Sequence, residues 1–191
     1  MIHVGRYAPK NHSFLIDVLA ALLRQRKNVF LVLVGSGPLE QSVAGRAAAL
    51  GVRDHVRLCG SRADVPRLLS AADTFVFPSP HEGLGVACLE AQAAGLPVVM
   101  ADTITREVVV AADRVSRLPL GDAEAWANAA LDSFALAPRL RGAAPALSGG
   151  LFDIEVSAQT LLESYRHALA RRGARRRTRG ALRNHVPGLP R

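Results

Sequence analysis

The stretch NVFLVLVGSGPLEQSVAGRAAALGVRDHVRLCG, residues 28–60, decides the fold class of this chain. Its continuous apolar run, Val29–Val34, is typical of a strand in a parallel sheet, because helices cover both faces of such a strand. We predict a helix over Pro38–Leu50, ended by Gly51, and then a second strand over Val56–Cys59. A strand, a helix and a strand in this order form one βαβ unit.

The same alternation continues on both sides of this unit. We predict further strands at Ile2–Gly5, Thr74–Phe77, Val98–Met100 and Val115–Leu120. We predict further helices after a cap at Ser13 and over Val65–Ala72, Leu84–Ala94, Asp122–Leu136 and Phe152–Leu169, with a loop at Pro138–Gly150. The predicted fold class is therefore α/β, a Rossmann-like parallel sheet with helices on both faces.

Charge along the chain separates a folded part from a tail. The net charge is +8, but residues 171–191 hold eight arginines and no acidic residue, so the rest of the chain is balanced. We predict one domain over 1–170 and a disordered Arg-rich tail over 171–191, because the tail has too little apolar content to order itself. The tail has no aromatic residue for stacking on bases, so we predict no specific nucleic-acid partner. A solvated end without further function is the preferred interpretation of the tail, while peripheral contact with an anionic membrane and nonspecific RNA binding stay open.

The two cysteines and the chain's hydropathy bear on the compartment. Cys59 and Cys88 are isolated, without the spacing of a disulfide framework or a metal site, which favours a reducing cytoplasm. We see no signal peptide and no run of the roughly 18 apolar residues that a membrane span needs. The predicted location is the cytoplasm, including the inner face of the membrane.

Candidate site residues follow the predicted strands, where open parallel sheets bind their ligands. Gly5, Arg6 and Lys10 follow the first strand, and two cations beside a glycine in one turn suit a diphosphate. After the second strand, Gly35–Pro38 contains two glycines, but proline is a good first helical residue, so we interpret this segment as a structural turn.

The most specific pattern lies between Pro78 and Pro97, where Glu82 precedes a predicted helix and Glu90 lies about two turns along it. Gly83 and Gly85 leave the first backbone amides of that helix unobstructed, and free amides at a helix N-terminus bind anions. A carboxylate such as Glu90 can accept both hydroxyls of a ribose, and Glu82 can accept hydroxyls of a sugar. Because two glutamates repel a diphosphate, compensating cations are required.

These motifs resemble glycosyltransferase family 4. The paired glutamates with Gly-Leu-Gly between them, the following EAQAAGLPVV, and the segments HVGRY, KNH and LVGSGPL resemble the branch that builds bacterial exopolysaccharides. The resemblance covers roughly residues 2–169. It implies the C-terminal, donor-binding half of a GT-B architecture, and an acceptor-binding N-terminal domain that is absent from this chain.

The resemblance also implies roles for single residues. Arg6 and Lys10 would hold the diphosphate and stabilise the leaving group, and with Glu82, which would contact the donor sugar, they form the predicted catalytic set. The complete predicted donor-binding set is Gly5, Arg6, Lys10, Ser61, Arg62, Glu82, Gly83, Leu84, Gly85 and Glu90. In it, Glu90 would bind the ribose, Leu84 and Gly85 would offer amides to the phosphates, and the loop at Ser61 and Arg62 would lie near the base.

The resulting hypothesis is a retaining, metal-independent hexosyltransferase without a cofactor, for which a UDP-sugar is the favoured donor. The acceptor would be a saccharide or a lipid-linked sugar in polysaccharide biosynthesis, held by a domain or chain not present here. Two alternatives stay open. One is a non-catalytic nucleotide-sugar-binding subunit or a truncated fragment, and the other is a nucleotide-sugar epimerase of GT-B-like fold.

Overall fold

The computed structural model describes residues 1–8, 10–136, 147–150 and 152–183, the side chains from 172 onward excepted. Within it, the chain divides into two compact units, 1–146 and 147–191. The sequence placed a boundary at 170, whereas this division falls before the last helix. Of the predicted loop at Pro138–Gly150, residues 138–146 lie outside the described residues.

The first unit is built on one parallel sheet. Its strands are β1 (Ile2–Val4), β2 (Leu31–Val34), β3 (Val56–Leu58), β4 (Phe75–Phe77), β5 (Val98–Ala101) and β6 (Val115–Leu118). They are ordered β3-β2-β1-β4-β5-β6, and each neighbouring pair is parallel. This confirms the predicted α/β, Rossmann-like class.

The first unit has five α-helices, of which the first four connect consecutive strands and the fifth follows β6. They are α1 (His12–Gln25), α2 (Glu40–Ala49), α3 (Val65–Ala71), α4 (Val86–Ala93) and α5 (Ala123–Ala135). Short 3-10 helices occupy Arg53–His55, Arg106–Val108 and Ala112–Arg114. Because crossovers between parallel strands are right-handed, α1 and α2 cover one face of the sheet and α3 and α4 the other.

Two helices begin differently from the prediction. Helix α1 begins at His12, and its N-cap is Asn11 in the left-handed conformation (φ 61°), so Ser13 lies inside the first turn and is not the cap. Helix α4 begins at Val86 rather than Leu84, because Gly85 adopts a left-handed conformation (φ 81°, ψ 51°) that a continuous helix excludes. Both loops before these helices carry predicted site residues.

The second unit contains α6 (Ile154–Arg183). Asp153 precedes it and accepts hydrogen bonds from the backbone N–H groups of Gly149 (2.8 Å) and Glu155 (2.9 Å), which lower the pKa of its carboxyl group. The helix passes through 171–183, a range that the sequence assigned to the disordered tail. The difference has a physical reason, since arginine and alanine both have high helix propensity. The rest of the predicted tail, 184–191, lies outside the described residues.

Candidate functional site

The site lies where the chain changes direction across the sheet. Strands β1 and β4 are neighbours, but from β1 the chain winds toward β3 and from β4 toward β6. Such a switch point opens a crevice at the carboxyl ends of the two strands, which is where doubly wound sheets bind ligands. The loops that leave β1 and β4 at this edge are Gly5–Asn11 and Pro78–Gly85.

An ion pair joins these two loops. The Lys10 Nζ atom donates to Glu82 Oε1 across the switch point, although the residues are 72 positions apart in sequence. The side chains are 28% and 12% exposed, so both charges are partly withdrawn from water. The structure thus brings together two of the three predicted catalytic residues.

The β1–α1 loop lies against the β2–α2 loop. The Tyr7 N–H donates to the Ser36 carbonyl (3.0 Å), and the Leu39 N–H donates to the Tyr7 carbonyl (3.3 Å). The two loops lie so close together that a side chain has no room at two positions. A Cβ atom on Gly35 would lie 2.0 Å from the Gly5 carbonyl oxygen, and one on Gly37 would lie 2.4 Å from that of Tyr7. Both glycines are therefore structural, as the sequence analysis favours.

A cavity of about 410 Å³ opens beside the β1–α1 loop. Residues from the ends of β1 and β2 and from the segment after β3 line it: Val4, Gly5, Arg6, Val34, Gly35, Ser36, Ser61, Arg62 and Val65. Across it the hydroxyl groups of Ser36 and Ser61 form a hydrogen bond (2.9 Å). Gly5, Arg6, Ser61 and Arg62, all predicted from the sequence, therefore line one cavity.

Arg62 is held in place by its neighbour Asp64. Its Nε and Nη2 atoms donate to the two carboxylate oxygens at 2.8 and 2.9 Å. This bidentate contact raises the pKa of the guanidinium and lowers the pKa of the Asp64 carboxyl. Both groups are exposed to solvent, so the pair orients Arg62 more than it stabilises the fold.

The N-terminal end of α4 carries the other predicted residues. Gly83 is exposed, Leu84 is half-buried, and Gly85 forms the cap of the helix. Glu90 lies further along α4 with its side chain exposed, and it makes no side-chain hydrogen bond to the described part of the chain. Arg6 is exposed in the same way. These two side chains are free to meet a ligand, whereas Lys10 and Glu82 are already paired.

One structural residue of the site was missed in the sequence analysis. Gln92 is 2% exposed on α4. Its side-chain amide donates to the carbonyls of Cys88 (3.0 Å) and Val108 (2.8 Å), and its oxygen accepts from the N–H groups of Val110 (2.9 Å) and Ala111 (3.1 Å). Gln92 therefore fastens the segment after β5 to the helix that carries Glu90. The sequence signal that could have identified Gln92 is an amide side chain on the apolar face of a predicted helix.

Burial changes the acid–base properties of three groups near the site. It lowers the pKa of His3 to about 3, assisted by the positive charges of His12 and Lys10. It lowers the pKa of His12 to about 4, against a smaller opposing effect of the Gly5 backbone. It also raises the pKa of the Cys88 thiol, which therefore stays protonated and packs as an apolar side chain.

The two histidines predict a dependence of stability on pH. Their ordinary pKa is 6.5. In the unfolded chain both histidines therefore become protonated near pH 6.5. In the folded chain His12 becomes protonated only near pH 4 and His3 only near pH 3. The contribution of the two histidines to the free energy of unfolding is fully present above pH 6.5. Below pH 6.5 the free energy of unfolding falls by up to about 1.4 kcal/mol per pH unit for each histidine. Urea unfolding between pH 7 and 5 measures this slope, and we expect His12→Phe to reduce it. An unchanged slope in the variant would contradict the assignment.

Comparison with known proteins gives a family match over most of the first unit. The family model described as "Glycosyl transferases group 1" matches residues 1–135.

Among the described residues, no three His, Cys, Asp or Glu side chains cluster in a way that could hold a metal ion. In the same part of the chain, no helix combines the length and apolar character of a membrane span.

Two curated relatives are glycosyltransferases. D-inositol 3-phosphate glycosyltransferase of Segniliparus rotundus is 37% identical over 180 residues, which are 87% of this chain and 39% of the relative. The GDP-mannose-dependent alpha-(1-6)-phosphatidylinositol dimannoside mannosyltransferase of Mycobacterium tuberculosis is 35% identical over 114 residues, 59% of this chain and 30% of the relative. The chain thus spans well under half of the length of these relatives.

A solved structure shows the same likeness in three dimensions. The crystal structure of Anabaena Alr3699/HepE in complex with UDP superposes with a TM-score of 0.74 at 26% identity, covering 87% of this chain and 48% of that one. The family match covers residues 1–135 of the chain and the fold agrees with that of a solved relative, so this chain belongs to the group 1 glycosyltransferases.

Proposed function

We propose that this chain is the donor-binding, C-terminal half of a retaining GT-B glycosyltransferase of family 4, with a UDP-sugar as its donor. The observation that carries the proposal is the Lys10–Glu82 ion pair at the switch point between β1 and β4, next to the cavity that Arg6 lines. Such a pair would supply a cation for phosphate beside a carboxylate for sugar hydroxyls. HepE, of similar structure, is known in complex with UDP and with UDP-glucose, which supports uridine as the base.

In this proposal the charged residues act on the departing diphosphate. Breaking the bond between the anomeric carbon and the phosphate oxygen leaves negative charge on the diphosphate. Arg6, Lys10 and the amides of Leu84 and Gly85 would stabilise that charge, because fixed cations and dipoles favour the transition state over the bound donor. Such groups would take the part that a divalent metal ion plays in other transferases.

The two glutamates would orient the donor. Glu82 would accept hydroxyls of the transferred sugar while it stays close to Lys10, and the exposed Glu90 would accept the ribose hydroxyls. Loops at Ser61 and Arg62 would contact the base at the edge of the cavity. Transfer would also require an acceptor-binding part, and the match of this chain covers 39% of the Segniliparus relative. The expected product belongs to polysaccharide biosynthesis in the cytoplasm.

Calorimetric titration of UDP and GDP into the full chain tests the donor site. We expect saturable UDP binding and about tenfold weaker binding in Glu90→Gln, which loses a charged acceptor for two ribose hydroxyls. The matched control is Glu124→Gln, which removes an exposed glutamate that pairs with the exposed Arg24. Binding of GDP in preference to UDP would overturn the choice of base, and binding of neither nucleotide would overturn the donor site.

We further propose that the second unit contacts an anionic membrane surface. Leu161, Tyr165 and Leu169 are exposed at helical spacing on α6, and seven arginines follow between 171 and 183. An apolar stripe continued by cations fits the interface of an anionic bilayer. Co-sedimentation of the full chain with vesicles that contain phosphatidylglycerol is expected, and its loss at high salt would identify the arginines as the contact. Equal co-sedimentation with uncharged vesicles would refute this contact.

A further inference from the structure

Four buried rings form a column between the two loops of the site. Tyr7 stacks on His12, with ring centroids 4.5 Å apart and planes at 14°. The His12 ring lies perpendicular to the His3 ring, with centroids 4.7 Å apart and planes at 85°, and His3 stacks on Phe77 at 5.5 Å. All four residues are at most 2% exposed. We call this set, Tyr7, His12, His3 and Phe77, the ring column.

The ring column connects the phosphate loop to helix α4. At one end, Tyr7 directly follows Arg6, and His12 comes two residues after Lys10. At the other end, a Cβ atom on Gly85, the cap of α4, would lie 3.5 Å from the Phe77 ring. The column therefore spans from the loop of the two cations to the helix end beside Glu82.

Stacking of Tyr7 on His12 closes the β1–α1 loop. These residues lie on either side of Lys10, so their contact makes the chain between them turn back on itself. The Tyr7 backbone is tied to Ser36 and Leu39, and the His3 Nδ1–H donates to the Val76 carbonyl at 2.8 Å. Hydrogen bonds thus hold both the β1–α1 loop and the His3 ring of the column.

Filling the space at position 12 does not by itself explain why it holds a flat polar ring rather than a leucine. Neither of its ring nitrogens has a hydrogen-bond partner within ordinary distance among the described residues, although the Gly5 backbone interacts weakly with the ring. A buried polar atom without a partner costs free energy that a leucine would avoid. A flat ring, however, can stack on Tyr7 and form a perpendicular contact with His3 at the same time.

We infer that Tyr7 and His12 are positioning residues, whose stacked rings hold Arg6 and Lys10 at the spacing that a diphosphate requires. This inference rests on the proposed function. A displacement of about 1 Å in a binding group can cost up to about a hundredfold in function. The ring column therefore acts on the diphosphate part of a ligand and leaves contacts with its base and ribose unchanged.

The first test compares UDP with UMP, which lacks the terminal phosphate. We titrate both into the full chain carrying His12→Ala and expect the ratio of UDP to UMP affinity to fall about tenfold. His12→Phe, which keeps a flat ring, is expected to restore the ratio. Leu19→Ala is the matched control, because Leu19 is fully buried on the same helix outside the ring column. An unchanged ratio in His12→Ala, or an equal fall in Leu19→Ala, would overturn the inference.

The second test needs no nucleotide. Hydrogen exchange of the peptide over residues 4–12 follows the Tyr7 amide, which is bonded to the Ser36 carbonyl. We expect faster exchange there in His12→Ala than in Leu19→Ala at matched stability. If the wild-type chain binds no UDP, the proposed donor site fails, and the exchange result alone decides: faster exchange supports the stack as the holder of this loop, and unchanged exchange overturns it.

Discussion

The double variant Arg6→Ala, Lys10→Ala is expected to bind UDP at least about a hundredfold more weakly than the wild-type chain. A hydrogen bond to a charged group contributes about 1.5–3 kcal/mol, so two cations on one diphosphate account for roughly 3 kcal/mol or more. Each 1.4 kcal/mol is about a tenfold change in affinity. Removing Lys10 also leaves the partly buried Glu82 without its counter-charge, and this carboxylate then repels the diphosphate.

The control for this experiment is Arg26→Ala, Lys27→Ala. It removes the same two charges from exposed residues just after α1, whereas Arg6 and Lys10 precede that helix. Calorimetry at two salt concentrations separates local contacts from general attraction, because screening weakens only the general term strongly. Equal losses in the two double variants would show that net charge, rather than the β1–α1 loop, binds the nucleotide.

Gly35→Ala is expected to lower the free energy of unfolding by about 2–4 kcal/mol. The new Cβ atom would lie 2.0 Å from the Gly5 carbonyl oxygen and 2.8 Å from the Gly5 carbonyl carbon. In addition, Gly35 has φ +143°, a conformation that residues with a side chain rarely adopt. The folded chain can accept the methyl group only by moving the β1–α1 loop, so we expect UDP binding to be lost as well.

Gly45→Ala provides the matched comparison. Gly45 lies inside α2, and no atom lies within 4 Å of the position that its Cβ would take. Alanine there is expected to stabilise the chain by up to about 1 kcal/mol, because glycine in a helix interior is unfavourable. Urea unfolding of both variants gives the two free energies. Similar values for the two substitutions would mean that the contact of the two loops is not needed for folding.

The strands and the fold class could be predicted because they depend on local patterns. Runs such as Val29–Val34 are apolar throughout, and only a strand covered on both faces suits such a run in an alternating α/β chain. All six strands lie within or close to the predicted ranges. Helix starts were less accurate, since the left-handed conformations of Asn11 and Gly85 depend on the loops that precede them.

The site could be predicted from the sequence only in part. Motif resemblance singled out Arg6, Lys10, Glu82 and Glu90, but it contains no distances. Pairing of Lys10 with Glu82 follows from the strand order, which makes β1 and β4 neighbours although two strands separate them in sequence. The cavity formed by Arg6, Ser61 and Arg62 likewise requires β1, β2 and β3 to lie side by side.

The sequence by itself determined which segments become strands, which loops carry charge, and which family the motifs resemble, because those properties depend on neighbours along the chain. Only the tertiary structure decided that Gly35 must lack a side chain, that Gln92 fastens the segment after β5, and that His12 lies between Tyr7 and His3. Each of those depends on atoms brought into contact by a sheet whose strand order differs from the chain order, and no local pattern contains that information.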